Sequence, residues 1–205
     1  MPQTLSKLIL AFVLIVFSAC SRGEEPQAVT ADQSVGSSDS DVVQYDTSRV
    51  VPPPLPRKSP MAVTRATFGK TYVKIVYGVP LKRGRVVFGA LEPFGQVWRL
   101  GANETTELTT TGPILFGDIE LAPGTYSLFA VPEPDKWTII VNSGLGQWGA
   151  YDYDEALDVG RISTRTQRTA KIYEAFTAWL ANEDGGASIH FAWDQTEVVV
   201  PLGIL

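Results

Sequence analysis

Two residue types are nearly missing from this chain. Among 205 residues there is one histidine, His190, and one cysteine, Cys20. Serine, cysteine and zinc hydrolases generally need imidazole as base or ligand, so a single histidine leaves those chemistries little raw material. His190 alternates with Ile189, Phe191 and Trp193 in a strand-like run, on the face away from three large apolar side chains, and reads as an ordinary surface or half-buried histidine. Neither a GxGxxG nor a Walker-type phosphate loop occurs, and no internal repeat indicates a solenoid or propeller. Excess positive charge is lacking too. The formal net charge is -5 with a pI near 4.9, and from Met61 onward 12 basic residues face 16 acidic ones. Nucleic-acid binders concentrate positive charge to displace counterions, so no nucleic-acid partner is expected; with no phosphate-binding loop, no cofactor is expected either.

The position of the cysteine accounts for its presence. Lys7 is followed by the apolar run Leu8 to Ala19, too short to span a bilayer as a permanent helix but the length of a secretion-signal core. It ends in Phe17-Ser18-Ala19-Cys20, which resembles a bacterial lipobox. Residues 1–19 are therefore expected to be a lipoprotein signal peptide, with Cys20 acylated and the membrane a partner through that anchor. Two acyl chains hold firmly where one binds only marginally. Ser21 after the cysteine resembles the class destined for the outer membrane, facing the periplasm. Ser21 to Pro60 is rich in Ser, Asp, Pro and Gly without a sustained apolar period, so residues 20–60 read as the acylated cysteine and a flexible tether.

From Met61 the pattern is β, and residues 61–205 read as one domain. TYVKIVYG (Thr71 to Gly78), GTYSLFAV (Gly124 to Val131) and KWTIIVN (Lys136 to Asn142) alternate or are rich in β-branched and aromatic residues. Turn signals recur at Phe116-Gly117-Asp118, Pro123-Gly124, Pro132-Glu133-Pro134-Asp135 and Asp184-Gly185-Gly186. The expected fold is all-β, an antiparallel β-sandwich of jelly-roll or immunoglobulin-like topology, with at most one short helix. Lys171 to Asn182 fits either helical or alternating spacing, and its neighbours favour a strand. Tyr151 to Val159 reads as a short helical turn or ordered loop. Ser188 to Trp193 and Thr196 to Leu202 read as a closing hairpin around Asp194-Gln195.

Candidate chemistry is sparse. Asp152, Asp154, Glu155 and Asp158 could gather around Ca²⁺, but Leu157 stands where an EF-hand turn needs glycine, so no metal site is expected. Glu104 with Glu107, or Asp118 with Glu120, supplies the two carboxylates that glycoside hydrolysis requires, as any acidic domain does by chance. Lys82, Arg83 and Arg85 crowd one turn, either as a charged tip that keeps an edge soluble or as forks for carboxylate or phosphate. Trp137, Trp179 and Trp193 lie in strand-like segments and read as core. Trp98 and Trp148 lie in turn-rich stretches and are better placed for a site. Around Trp98, VWRLGANETTELTT reads as a structural corner with Asn103 left-handed, or as a pocket where Arg99 and Asn103 donate, Glu104 accepts and Trp98 forms a wall. The candidate ligand-binding set is Lys82, Arg85, Trp98, Arg99, Asn103, Glu104 and Trp148. Lipidation is assigned to Cys20, and no residue is assigned to catalysis.

The series YGVPLKRGRVVFG, LEPFGQVWRLGANETTELT, LAPGTYSLFAVP, WTIIVN and QWGAYDYD resembles the bacterial family named domain of unknown function 2911. The likeness runs from about Pro60 to Leu202. Matching positions include Lys82, Gly84, Arg85, Phe88, Gly89, Trp98, Arg99, Gly101, Ala102, Asn103 and Glu104. Where the family pattern places serine and arginine, this chain has Gly78 and Val79. The resemblance implies an exported protein, often a lipoprotein, and no assigned activity. The expectation is a non-catalytic cell-envelope lipoprotein binding a small anionic or sugar-like ligand or a partner protein. The alternatives are a carboxylate-dependent glycan hydrolase and a purely structural envelope module.

Overall fold

The computed structural model describes residues 56–183 and 186–205. The run expected to be a signal peptide, Cys20, the expected tether up to residue 55 and the Asp184-Gly185 pair lie outside the described residues. The strands are β1 (Met61–Phe68), β2 (Thr71–Gly78), β3 (Thr106–Thr110), β4 (Ile114–Phe116), β5 (Ile119–Leu121), β6 (Gly124–Pro132), β7 (Lys136–Asn142), β8 (Asp158–Arg165), β9 (Gln167–Glu183) and β10 (Gly186–Ile204). They form a six-stranded sheet in the order β1-β2-β3-β6-β7-β8 and a four-stranded sheet in the order β5-β4-β10-β9. Every pairing between these strands is antiparallel. The fold is an all-β sandwich, and the one helical element among the described residues is a 3-10 turn at Glu155–Leu157.

Alternation builds the core. On β2, Val73, Ile75 and Tyr77 are buried while Tyr72, Lys74 and Val76 are half-buried, as a period of two requires when one face meets a second layer. Leu128, Trp137, Ile139 and Val141 from the larger sheet join Phe116, Phe176, Ile189, Phe191, Trp193 and Val200 from the smaller one. Burying each such side chain contributes about 1.5–3 kcal/mol. The larger sheet is also covered on its outer face: Phe129 pairs across the strands with Ile140, both fully buried, and the Tyr153 ring packs on Phe129 at 5.0 Å between centroids.

Three sequence readings meet the structure differently. Residues 171–182 belong to strand β9 rather than to a helix, paired along β10 from Glu183↔Gly186 onward. The expected hairpin around Asp194-Gln195 is instead one continuous strand. Asp194 adopts a left-handed φ of 54° and inserts a bulge, so the polar pair bends β10 without reversing it. Trp179 is not core: it is half-buried, stacked on His190 at 4.6 Å and on Tyr173 at 6.0 Å.

Candidate functional site

The connection from β2 to β3, residues 79–105, carries most of the candidate residues. It is held by backbone pairing. Lys82 N–H donates to Glu174 O at 2.7 Å and Phe176 N–H to Pro80 O at 2.9 Å. Trp98 and Ala130 exchange both hydrogen bonds, at 2.7 and 2.8 Å, continuing the β6 ladder beyond the end of β3. That pairing aims the Trp98 ring inward. It is 4% exposed, stacked on Trp193 at 5.9 Å and edge-on to Phe176 and Trp137, with Nε1–H donating to Gly101 O at 3.1 Å. Trp98 is thus a core residue that also lines the pocket beside Arg99.

Arg99 follows in the opposite sense and leads outward. With Glu92, Val97, Trp98, Ala150 and Tyr151 it lines an open pocket of about 240 Å³. Its Nε is buried and has no hydrogen-bond partner among the described residues. Glu92 is half-buried there, and burial pushes its carboxyl up to about 7 even though Arg99, and then Arg85, pull it down. Gly149, at φ +74°, lets the loop pass close: a Cβ there would lie 3.2 Å from Arg99 Nη1 and 2.9 Å from the Tyr151 ring. Tyr151 itself is 82% exposed at the mouth. Donor, half-buried carboxyl and aromatic face therefore converge. Glu92, Gly149 and Tyr151 were absent from the candidate set. Glu92 did leave a signal, being the one acidic residue between Gly84 and Arg99.

The remaining candidates are engaged by the chain itself. Asn103 takes the left-handed conformation expected of it, φ 64°, and its Nδ2 donates to Ser59 O at 3.0 Å. Glu104 accepts from Arg57 Nη1 at 2.6 and 2.7 Å, while its backbone bridges Trp148, whose ring is 54% exposed. Arg85 donates to the Lys82 and Leu81 carbonyls, closing its own turn. Lys82 pairs with Asp194. Trp98 and Arg99 share one pocket, and Asn103, Glu104, Arg85 and Lys82 do not line it. The family-pattern departure has a local reason: a Cβ on Gly78 would fall 1.8 Å from Ala102 O, so the loop rests on the bare backbone.

The carboxylates elsewhere are also in use. Asp154 caps the 3-10 turn, accepting from Ala156 N–H at 2.9 Å. Asp158 accepts from Asn142 Nδ2 and Tyr153 Oη at 2.8 Å each, and from Arg161 Nε at 2.8 Å. Burial, then the bond to Asp158, pushes the Tyr153 hydroxyl up to about 12, and the Asp158 bond raises Arg161 further. Glu104 and Glu107 line a common small pocket with Gln147 and Tyr77, of about 150 Å³. His190 is half-buried, with Nδ1 2.7 Å from Glu197 and Nε2 2.9 Å from Ser188.

Residues 59–202 match the family described as "Protein of unknown function (DUF2911)". No curated protein and no solved structure matches the chain. The chain belongs to that family.

Proposed function

We propose, from that membership and the Arg99 pocket, that the protein is a non-catalytic cell-envelope lipoprotein whose β-sandwich binds a small sugar-like ligand between Arg99, Glu92 and Tyr151. One observation carries the reading: the Arg99 Nε–H is buried without a partner among the described residues, in a pocket it shares with the half-buried carboxyl of Glu92, which burial raises to about 7. Buried polar groups are ordinarily satisfied, and an unmade bond costs about 1–3 kcal/mol. A ligand hydroxyl would supply the acceptor that Arg99 lacks while donating to Glu92. An exposed tyrosine ring offers a stacking face for a pyranose. A simple anion fits less well, because Glu92 above pH 7 repels it. Export, acylation at Cys20 and an outer-membrane address facing the periplasm rest on the apolar run and the lipobox-like Phe17-Ser18-Ala19-Cys20.

Thermal unfolding of the full chain against glucose, galactose, mannose and N-acetylglucosamine, with phosphate and acetate as controls, tests this reading. At least one sugar raises Tm in the wild type, and the rise disappears in Arg99→Ala and shrinks in Glu92→Gln. Stabilisation by no sugar, or an equal rise in Arg99→Ala, rejects it. Radiolabelled palmitate incorporated into the wild type and not into Cys20→Ser tests the anchor.

A second reading, glycan hydrolysis, draws on Glu104 and Glu107 lining one pocket. Arg57 already occupies Glu104, which weighs against that carboxyl as a general acid. Release of reducing ends from a glycan, abolished in Glu107→Gln, would favour this reading over binding alone.

A further inference from the structure

The β10 bulge opens a second pocket, also of about 240 Å³, whose lining includes Val86, Phe88, Phe94, Trp137, Asp194 and Thr196. Its residues are not those of the Arg99 site, and nothing about it depends on the sugar reading. The wall is aromatic: Phe88 and Trp137 lie 4.8 Å apart between centroids. Its rim is open and mixed: Val86 and Phe94, 67% and 42% exposed, stand beside Glu133 and Asp194. Trp137 is fully buried, and its Nε1–H has no hydrogen-bond partner among the described residues. Indole N–H groups usually find an acceptor when buried. The charges around the pocket are already balanced, since Lys82 pairs with Asp194 and Lys136 with Glu133. Asp194 is held in a left-handed conformation, a backbone state that costs about 1–3 kcal/mol and clusters at ligand-contacting positions.

We propose that this pocket is a second ligand site, for a small uncharged ring-bearing molecule that brings an acceptor oxygen to the Trp137 indole. Aromatic walls reward a planar apolar ring. The unpaired indole N–H rewards one acceptor. The balanced ion pairs leave no net charge for a charged ligand to neutralise, so burying one there would cost desolvation without return.

Acetophenone and ethylbenzene serve as matched probes, alike in shape and differing by the carbonyl oxygen. Added at millimolar concentration to the full chain, acetophenone raises Tm by roughly 2–4 °C and ethylbenzene by less. In Trp137→Phe, which keeps a ring and deletes the N–H, the difference between the two probes vanishes. Because both probes are compared within each variant, any loss of stability from the smaller ring cancels. Should Trp137→Phe fail to fold, Val86→Trp at the exposed rim fills the mouth and abolishes both shifts, while Arg99→Ala leaves them unchanged. The proposal is overturned if neither probe stabilises the wild type, if the preference for acetophenone survives in Trp137→Phe, or if Val86→Trp still responds.

Discussion

Arg99 and Asn103 sit in the same loop, close in sequence and opposite in use. Around Asn103 and Glu104 the polar side chains of the loop meet the chain's own atoms: Asn103 Nδ2 reaches Ser59 O, Glu104 takes Arg57, and Gly149 N–H donates to Asn103 O at 2.8 Å, while across the small pocket Gln147 Oε1 is buried without a partner among the described residues. Around Arg99 and Glu92 both side chains are half-buried, and the Arg99 Nε–H has no partner among the described residues. A fold that spends hydrogen bonds to hold one end of a loop, and leaves them unmade at the other, separates scaffold from site. Leu100, between them, is fully buried with a left-handed φ of 51°, which turns the chain from the outward Arg99 to the packed corner. Such strain persists only where surrounding structure enforces it.

Substitutions can break that contrast at either end. Trp98→Ala removes a ring at the centre of the aromatic cluster and should cost about 3–5 kcal/mol in denaturant unfolding; a cost below ~1 kcal/mol would return Trp98 to the pocket wall. The pH dependence comes next. The folded-state carboxyl of Glu92 lies near 7, above its ordinary 4.5, so ionisation is penalised only in the folded chain. Its contribution is therefore full below about pH 4.5 and is lost as pH rises towards 7. The loss is on the order of 2 kcal/mol, reduced from the full shift because the group is partly solvated. Glu92→Gln should flatten the stability curve in that window.

Smaller effects sharpen the comparison. Asn103→Ala should lose about 1–2 kcal/mol, from the left-handed backbone together with the bond to Ser59, and Asn103→Gly should lose less, as the glycine relieves the first cost alone. Arg99→Ala should change stability by less than about 1 kcal/mol while removing the response to sugar. Arg57→Ala breaks an ion pair that is a third exposed on both sides and should shift unfolding by ~0.5 kcal/mol, a difference that salt erases.

The strands were readable because alternation is local. β2 and β7 coincide with their sequence readings, Thr71–Gly78 and Lys136–Asn142, and Asn103 announced its left-handed turn through its residue type. What failed was non-local. Trp98 is drawn into the core by Ala130, a partner far along the chain that no window around WRLG contains. The polar pair Asp194-Gln195 looks like a turn, and only the register against β9 reveals a bulge within one strand. Trp179 alternates correctly but faces outward, where Tyr173 and His190 cover it. Glu92 acquires its character from desolvation and from Arg99, both consequences of tertiary packing.

An NMR titration of the Glu92 side-chain carboxyl carbon, in the full chain without ligand, addresses the contrast most directly. A midpoint near 7, rising further in Arg99→Ala as the stabilising cation is removed, is the result expected of a carboxyl desolvated by burial and only partly compensated by Arg99. A midpoint at or below the ordinary carboxylate value would mean that Glu92 and Arg99 form a closed ion pair in solution, leaving the loop as scaffold at both ends.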